Sequence, residues 1–208
     1  MMRHYVISRQ LPRYGTWLLV TGMLAAVVGR VMLTVPSLRG GDQFLLPLDL
    51  VLPAAAAALV GQTTRCFMAD LEQVAARAIR AVRLGHGLAL VVVAIVAFLP
   101  AMVWSQEGHG HGGWAVLRNL IGYIGLAYLG AQVFGAGLSW VVPLFIALLC
   151  PVFGIRGRAV PLWWAWPLQP AGSATSWVWA GGLCVAGVVA FTVRAVPQTA
   201  AEDPLDLG

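Results

Sequence analysis

The sequence predicts an all-α, polytopic integral membrane protein: six transmembrane helices with both termini in the cytoplasm. Three observations lead there. Six apolar stretches, residues 16–36, 45–62, 84–104, 114–134, 138–153 and 177–196, make up most of the 208-residue chain, and a helix needs about 20 apolar residues to cross a hydrocarbon core. Hydrophobic residues reach 60% against 10% charged, with a mean hydropathy of +0.82, far from the balance of a soluble domain. The arginines and tryptophans gather at the ends of the stretches, where a bilayer would meet water.

Residues 1–15 carry Arg3, Arg9 and Arg13 ahead of the first apolar run and read as an amphipathic N-terminal segment. The run continues through Arg30 to Pro36 without a small-residue cleavage site, so it is expected to stay as the first span. With the N-terminus inside, Arg65, Arg77, Arg80, Arg83 and Arg194 join the cytoplasmic side, while Arg39, Arg118, Arg156 and Arg158 fall outside. That bias follows the positive-inside rule. Trp17 and Trp140 then mark the inner boundary. Trp104, Trp114, Trp163, Trp164, Trp166, Trp177 and Trp179 mark the outer one.

Between spans two and three, Asp70 and Gln73 have the form of a capping box. Glu72 lies in the first turn and Arg77, Arg80 and Arg83 at the other end, matching the helix dipole. Leu71, Val74, Ala78 and Val82 line another side. The segment is expected to be a short amphipathic helix at the inner surface, seated on anionic lipid or docked to a cytoplasmic protein. Gly135-Ala136-Gly137 predicts a tight inner turn between spans four and five. Residues 161–170, PLWWAWPLQP, are too apolar for a solvated loop and too short for a span, so they are expected to re-enter the membrane from outside. The last span carries Gly182, Ala186 and Ala190 at spacing four, a packing face for another helix. Residues 197–208 form an acidic cytoplasmic tail.

Ionisable groups inside spans are candidates for function. Arg30 and Asp49 are expected at similar depth on antiparallel helices, as a register-fixing pair or as a substrate contact. His109, His111 and Glu107 in the Gly-rich loop after span three make at most a partial metal site, and no metal or other cofactor is assigned. Cys66, Cys150 and Cys184 are an odd number without metal spacing, and no disulfide framework is expected. All 13 basic residues are arginine; without lysine the chain cannot form a Walker A phosphate loop, so any ATP hydrolysis belongs to a partner. Intramembrane protease motifs are absent, no catalytic residue is assigned, and the charge does not point to nucleic acid.

This layout resembles the permease subunit of type-2 ABC exporters, the ABC-2 or type V fold. Two stretches, ADLEQVAARAIRAVRLGHG at 69–87 and WWAWPLQPAGSATSW at 163–177, also resemble small permease-like proteins of actinobacteria. The resemblance implies an elbow at residues 1–15 and a six-helix permease domain at 16–196. It also implies a coupling helix at 70–83, in which Asp70, Leu71, Glu72, Val74, Arg77, Arg80 and Arg83 dock an ABC ATPase subunit. A second permease copy or paralogue would complete the path in a bacterial plasma membrane. A non-transporting interaction, immunity or assembly protein would share the same spans without needing an ATPase. A secondary transporter fits less well, because no internal repeat is seen.

Overall fold

The structure, a computed structural model, describes residues 11–29, 31–36, 43–64, 76–105, 112–156 and 160–193. Among these the chain forms six α-helices, two small antiparallel hairpins and three 3-10 turns. The helices are α1 Leu11–Val28, α2 Leu52–Gln62, α3 Ala76–Trp104, α4 Gly112–Phe134, α5 Val141–Phe153 and α6 Ala174–Val193. Strands β1 Met32–Pro36 and β2 Gln43–Pro47 lie between α1 and α2, and β3 Ile155–Arg156 and β4 Val160–Pro161 follow α5. Three helical stretches are long and apolar enough to cross a membrane: Arg83–Trp104, Ala136–Phe153 and Ala174–Val193. Arg13–Val28 and Leu48–Gln62 are shorter apolar helices.

The first two apolar stretches are not continuous helices. Helix α1 stops at Val28, and the chain turns into β1, which pairs with β2 from Met32 opposite Pro47 to Pro36 opposite Gln43. Local chemistry explains the change. Val31, Thr34 and Val35 are β-branched, and Pro36 and Pro47 end the strands, where a missing N–H costs least. Two backbone bonds, Leu48 N–H to Val31 O at 3.1 Å and Asp49 N–H to Gly29 O at 3.1 Å, tie the hairpin to the end of α1. What remains of the second stretch is α2, 11 residues and so roughly 16 Å long, about half a bilayer core.

Helix α4 runs through the middle and packs on α6, α2, α3 and α5, while α1 lies against α3 and α2. Its side chains Leu120, Tyr123, Ile124, Ala127 and Tyr128 sit in the main core. Tyr128 stacks on Phe191 of α6 with ring centres 5.2 Å apart and donates its hydroxyl to Gly87 O of α3 at 3.2 Å. Around this core the surface is apolar: Met23 and Val27 on α1, Val92 and Val103 on α3, Phe145 and Leu148 on α5, and Val178 and Val185 on α6 are all exposed. A water-soluble protein rarely leaves so much apolar area uncovered.

The predicted turn between the fourth and fifth stretches is present. Gly135, at φ 80° and ψ 166°, breaks α4 in a region of backbone space open almost only to glycine. A 3-10 turn, Ala136–Leu138, then reverses the chain into α5. Gln62 at the end of α2 reaches this turn, donating its side-chain amide to Gly137 O at 3.2 Å.

Candidate functional site: a caged arginine at one end of the bundle

At the end opposite the Gly135 turn, α4 carries Arg118 and Asn119, both with no exposed surface. A helix this apolar holds a guanidinium inside only if each N–H finds an acceptor. Arg118 finds them in a segment about fifty residues later. Its Nη1 donates to Pro170 O at 3.0 Å and to Ser176 Oγ at 2.8 Å. Its Nη2 donates to Pro167 O at 3.1 Å and Gln169 O at 3.0 Å. Asn119 Oδ1 accepts from both Nε, at 3.2 Å, and Nη2, at 3.1 Å. Asn119 in turn donates from Nδ2 to Pro167 O at 3.0 Å and to Leu50 O at 3.4 Å. The acceptors among the described residues are neutral oxygens throughout; the cation is held by dipoles.

The gripped segment follows β4. Gln169 folds it on itself, donating its amide to Leu162 O and Trp163 O, both at 3.3 Å, while its Oε1 accepts from Ser173 at 2.6 Å. Trp166, Pro167 and Leu168 form a buried 3-10 turn. The Trp166 ring lies 5.4 Å from that of Tyr123 and directly over Gly122, where any side chain would collide with the indole. Leu168 and Ala165 belong to a second apolar cluster, separate from the main core, with Leu46, Leu50, Ala115, Cys150 and Ile155. Helix α6 starts within the same knot: Ser176 donates to Ser173 O at 2.8 Å and Trp177 to Ala171 O at 2.9 Å.

Chemically, the site holds rather than reacts. An arginine stays protonated, and all of its donors are directed at fixed acceptors, so it is neither an acid–base group nor an open anion site. Sequence reasoning passed over it, counting Arg118 only as an outside charge and Trp166 as a boundary marker facing water. The signal was present in an Arg-Asn pair four residues inside an apolar stretch. The fold-back of residues 161–170 was legible from its composition.

Of the residues singled out from sequence, Asp49 sits in the 3-10 turn before α2, and its Oδ2 accepts from Ser105 Oγ at 2.8 Å. Its expected partner, Arg30, lies outside the described residues, as do Asp70, Leu71, Glu72, Val74, His109, His111 and Glu107. Arg77, Arg80 and Arg83 belong to α3, and the helix runs on from them to Trp104 without a break. The described half of the predicted surface helix is therefore the first part of a 29-residue rod. Gly182 and Ala186 lie on an exposed face of α6, whereas the seam with α4 uses Gly187. No family model, curated protein or solved structure matches this chain.

Proposed function

We propose that the chain is the membrane-spanning permease subunit of an ABC exporter, multi-pass in a bacterial plasma membrane. It would share the translocation path with a second permease copy or paralogue, and a separate ATPase would drive it. The observation that carries this reading is the continuity of α3. At 29 residues the helix is roughly 43 Å long, about 13 Å more than a bilayer core needs. The apolar part of the rod is Arg83–Trp104, so the excess is the end bearing Arg77, Arg80 and Arg83. A basic end rigidly joined to a helix packed on α1, α4 and α6 can carry a push from a cytoplasmic partner into the bundle. The exposed Gly182 and Ala186 on α6 leave room for close approach by a second subunit.

The test is purification of the tagged protein in mild detergent from its native host. A stoichiometric P-loop ATPase, lost when Arg77→Glu and Arg80→Glu are combined, supports the proposal. A clean protein without ATPase, from a preparation that keeps other complexes together, favours a membrane interaction or assembly role.

A further inference from the structure

We propose that residues 161–170 form a strap that lifts as a unit from the Arg118 end of the bundle, with Arg118 as its latch. Four features of the knot argue for this. First, the strap has no α-helix and only two strand residues of its own; its conformation depends on side chains reaching it from α4 and on Gln169. Such segments occupy the low-stability end of a protein. Second, the latch joins a cation to neutral carbonyls. When the strap lifts, each bond to Pro167, Gln169 and Pro170 is exchanged for one to water, and the guanidinium recovers its hydration. An ion pair would have to separate two charges. Third, the apolar material beneath is a small cluster of its own, with Ala115, Ala165 and Cys150 among its seven buried members, so lifting leaves the main core intact. Fourth, the strap ends in Pro170 followed by Ala171 and Gly172, and nothing lies within 4 Å of where a Gly172 side chain would stand. That gives the chain room to swing. The lifted state would open an apolar recess lined by Leu46, Leu50 and Ile155. This inference does not depend on the ATPase reading.

Two native cysteines provide local and global reporters. Cys150 is buried under the strap, while Cys184 packs on the main core beside Gly125. Full-length protein in detergent is prepared with Cys150 alone (Cys66→Ser, Cys184→Ala) or with Cys184 alone (Cys66→Ser, Cys150→Ala). Each is labelled with a small, charged, water-soluble methanethiosulfonate. Arg118→Gln should speed Cys150 labelling about tenfold or more, the effect expected from losing even one charge-assisted bond, and leave Cys184 unchanged. Ser176→Ala, which removes a single acceptor, should move Cys150 the same way by less. An unchanged Cys150 rate in both variants overturns the latch. An equal acceleration of Cys184 also overturns it, since Arg118 would then stabilise the whole bundle. If Arg118→Gln does not fold, Ser176→Ala decides alone.

Discussion

Gly125 of α4 and Gly187 of α6 face each other across the tightest seam of the molecule. A side chain on Gly187 would strike the Gly125 backbone, and one on Gly125 would strike Leu183 and Cys184. The backbones can touch only because neither residue has a Cβ. Small residues at helix contacts serve this purpose where apolar surroundings provide no other drive for association.

Gly187→Ala and Gly125→Ala should each push α4 and α6 apart and destabilise the fold by about 1–3 kcal/mol, the usual cost of overpacking. Gly182→Ala, on the exposed face of the same helix, should change the monomer little. Thermal unfolding of the purified protein in detergent separates the two groups.

Asn119 links Leu50 O, Pro167 O and the Arg118 guanidinium through one amide. Asn119→Leu keeps the approximate size and removes every one of these bonds. A loss of about 2 kcal/mol or more is expected, because buried groups left unsatisfied cost about 1–3 kcal/mol each. Arg118→Lys should also destabilise despite keeping the charge, since an ammonium cannot reproduce the planar fork. Chemical denaturation with each variant checks both statements.

Gly122→Ala should cost stability through one contact, the Trp166 indole above it. In a Trp166→Ala background the same substitution should cost much less. The double-mutant cycle therefore has a coupling energy in the range of about 0.5–3 kcal/mol found for residues in contact. A coupling near zero would place the strain elsewhere.

Gly135→Ala should cost about 1–3 kcal/mol by forcing a Cβ into its φ 80°, ψ 166° conformation. Loss of the turn also frees Gln62 from Gly137 O. A drop in melting temperature larger than that of Gly15→Ala, at an open position of α1, is the expected reading.

Much of this fold was legible from residue patterns, and the failures have physical causes. Length and hydropathy located α3, α4, α5 and α6, and the Gly135-Ala136-Gly137 break is where the chain turns. Apolarity alone does not separate helix from strand, so the stretch from Val31 to Pro36 read as the end of a span. Gly85 and Gly87 suggested that the helix bearing Arg77 and Arg80 would end near Arg83. It continues because Gly87 faces Phe191 and the Tyr128 hydroxyl, contacts that give the position a use inside a helix. The cage around Arg118 was the hardest part to see. Its acceptors are mainly backbone carbonyls, and every residue has one of those.

The separation of the cage along the chain has a consequence for biogenesis. A ribosome delivers α4 first, and the carbonyls of Pro167, Gln169 and Pro170 follow 49, 51 and 52 residues behind Arg118. Until then the nascent helix offers the insertion machinery a bare positive charge near one end. Helix α4 thus enters the lipid as an unfinished element, and the last third of the polypeptide completes it.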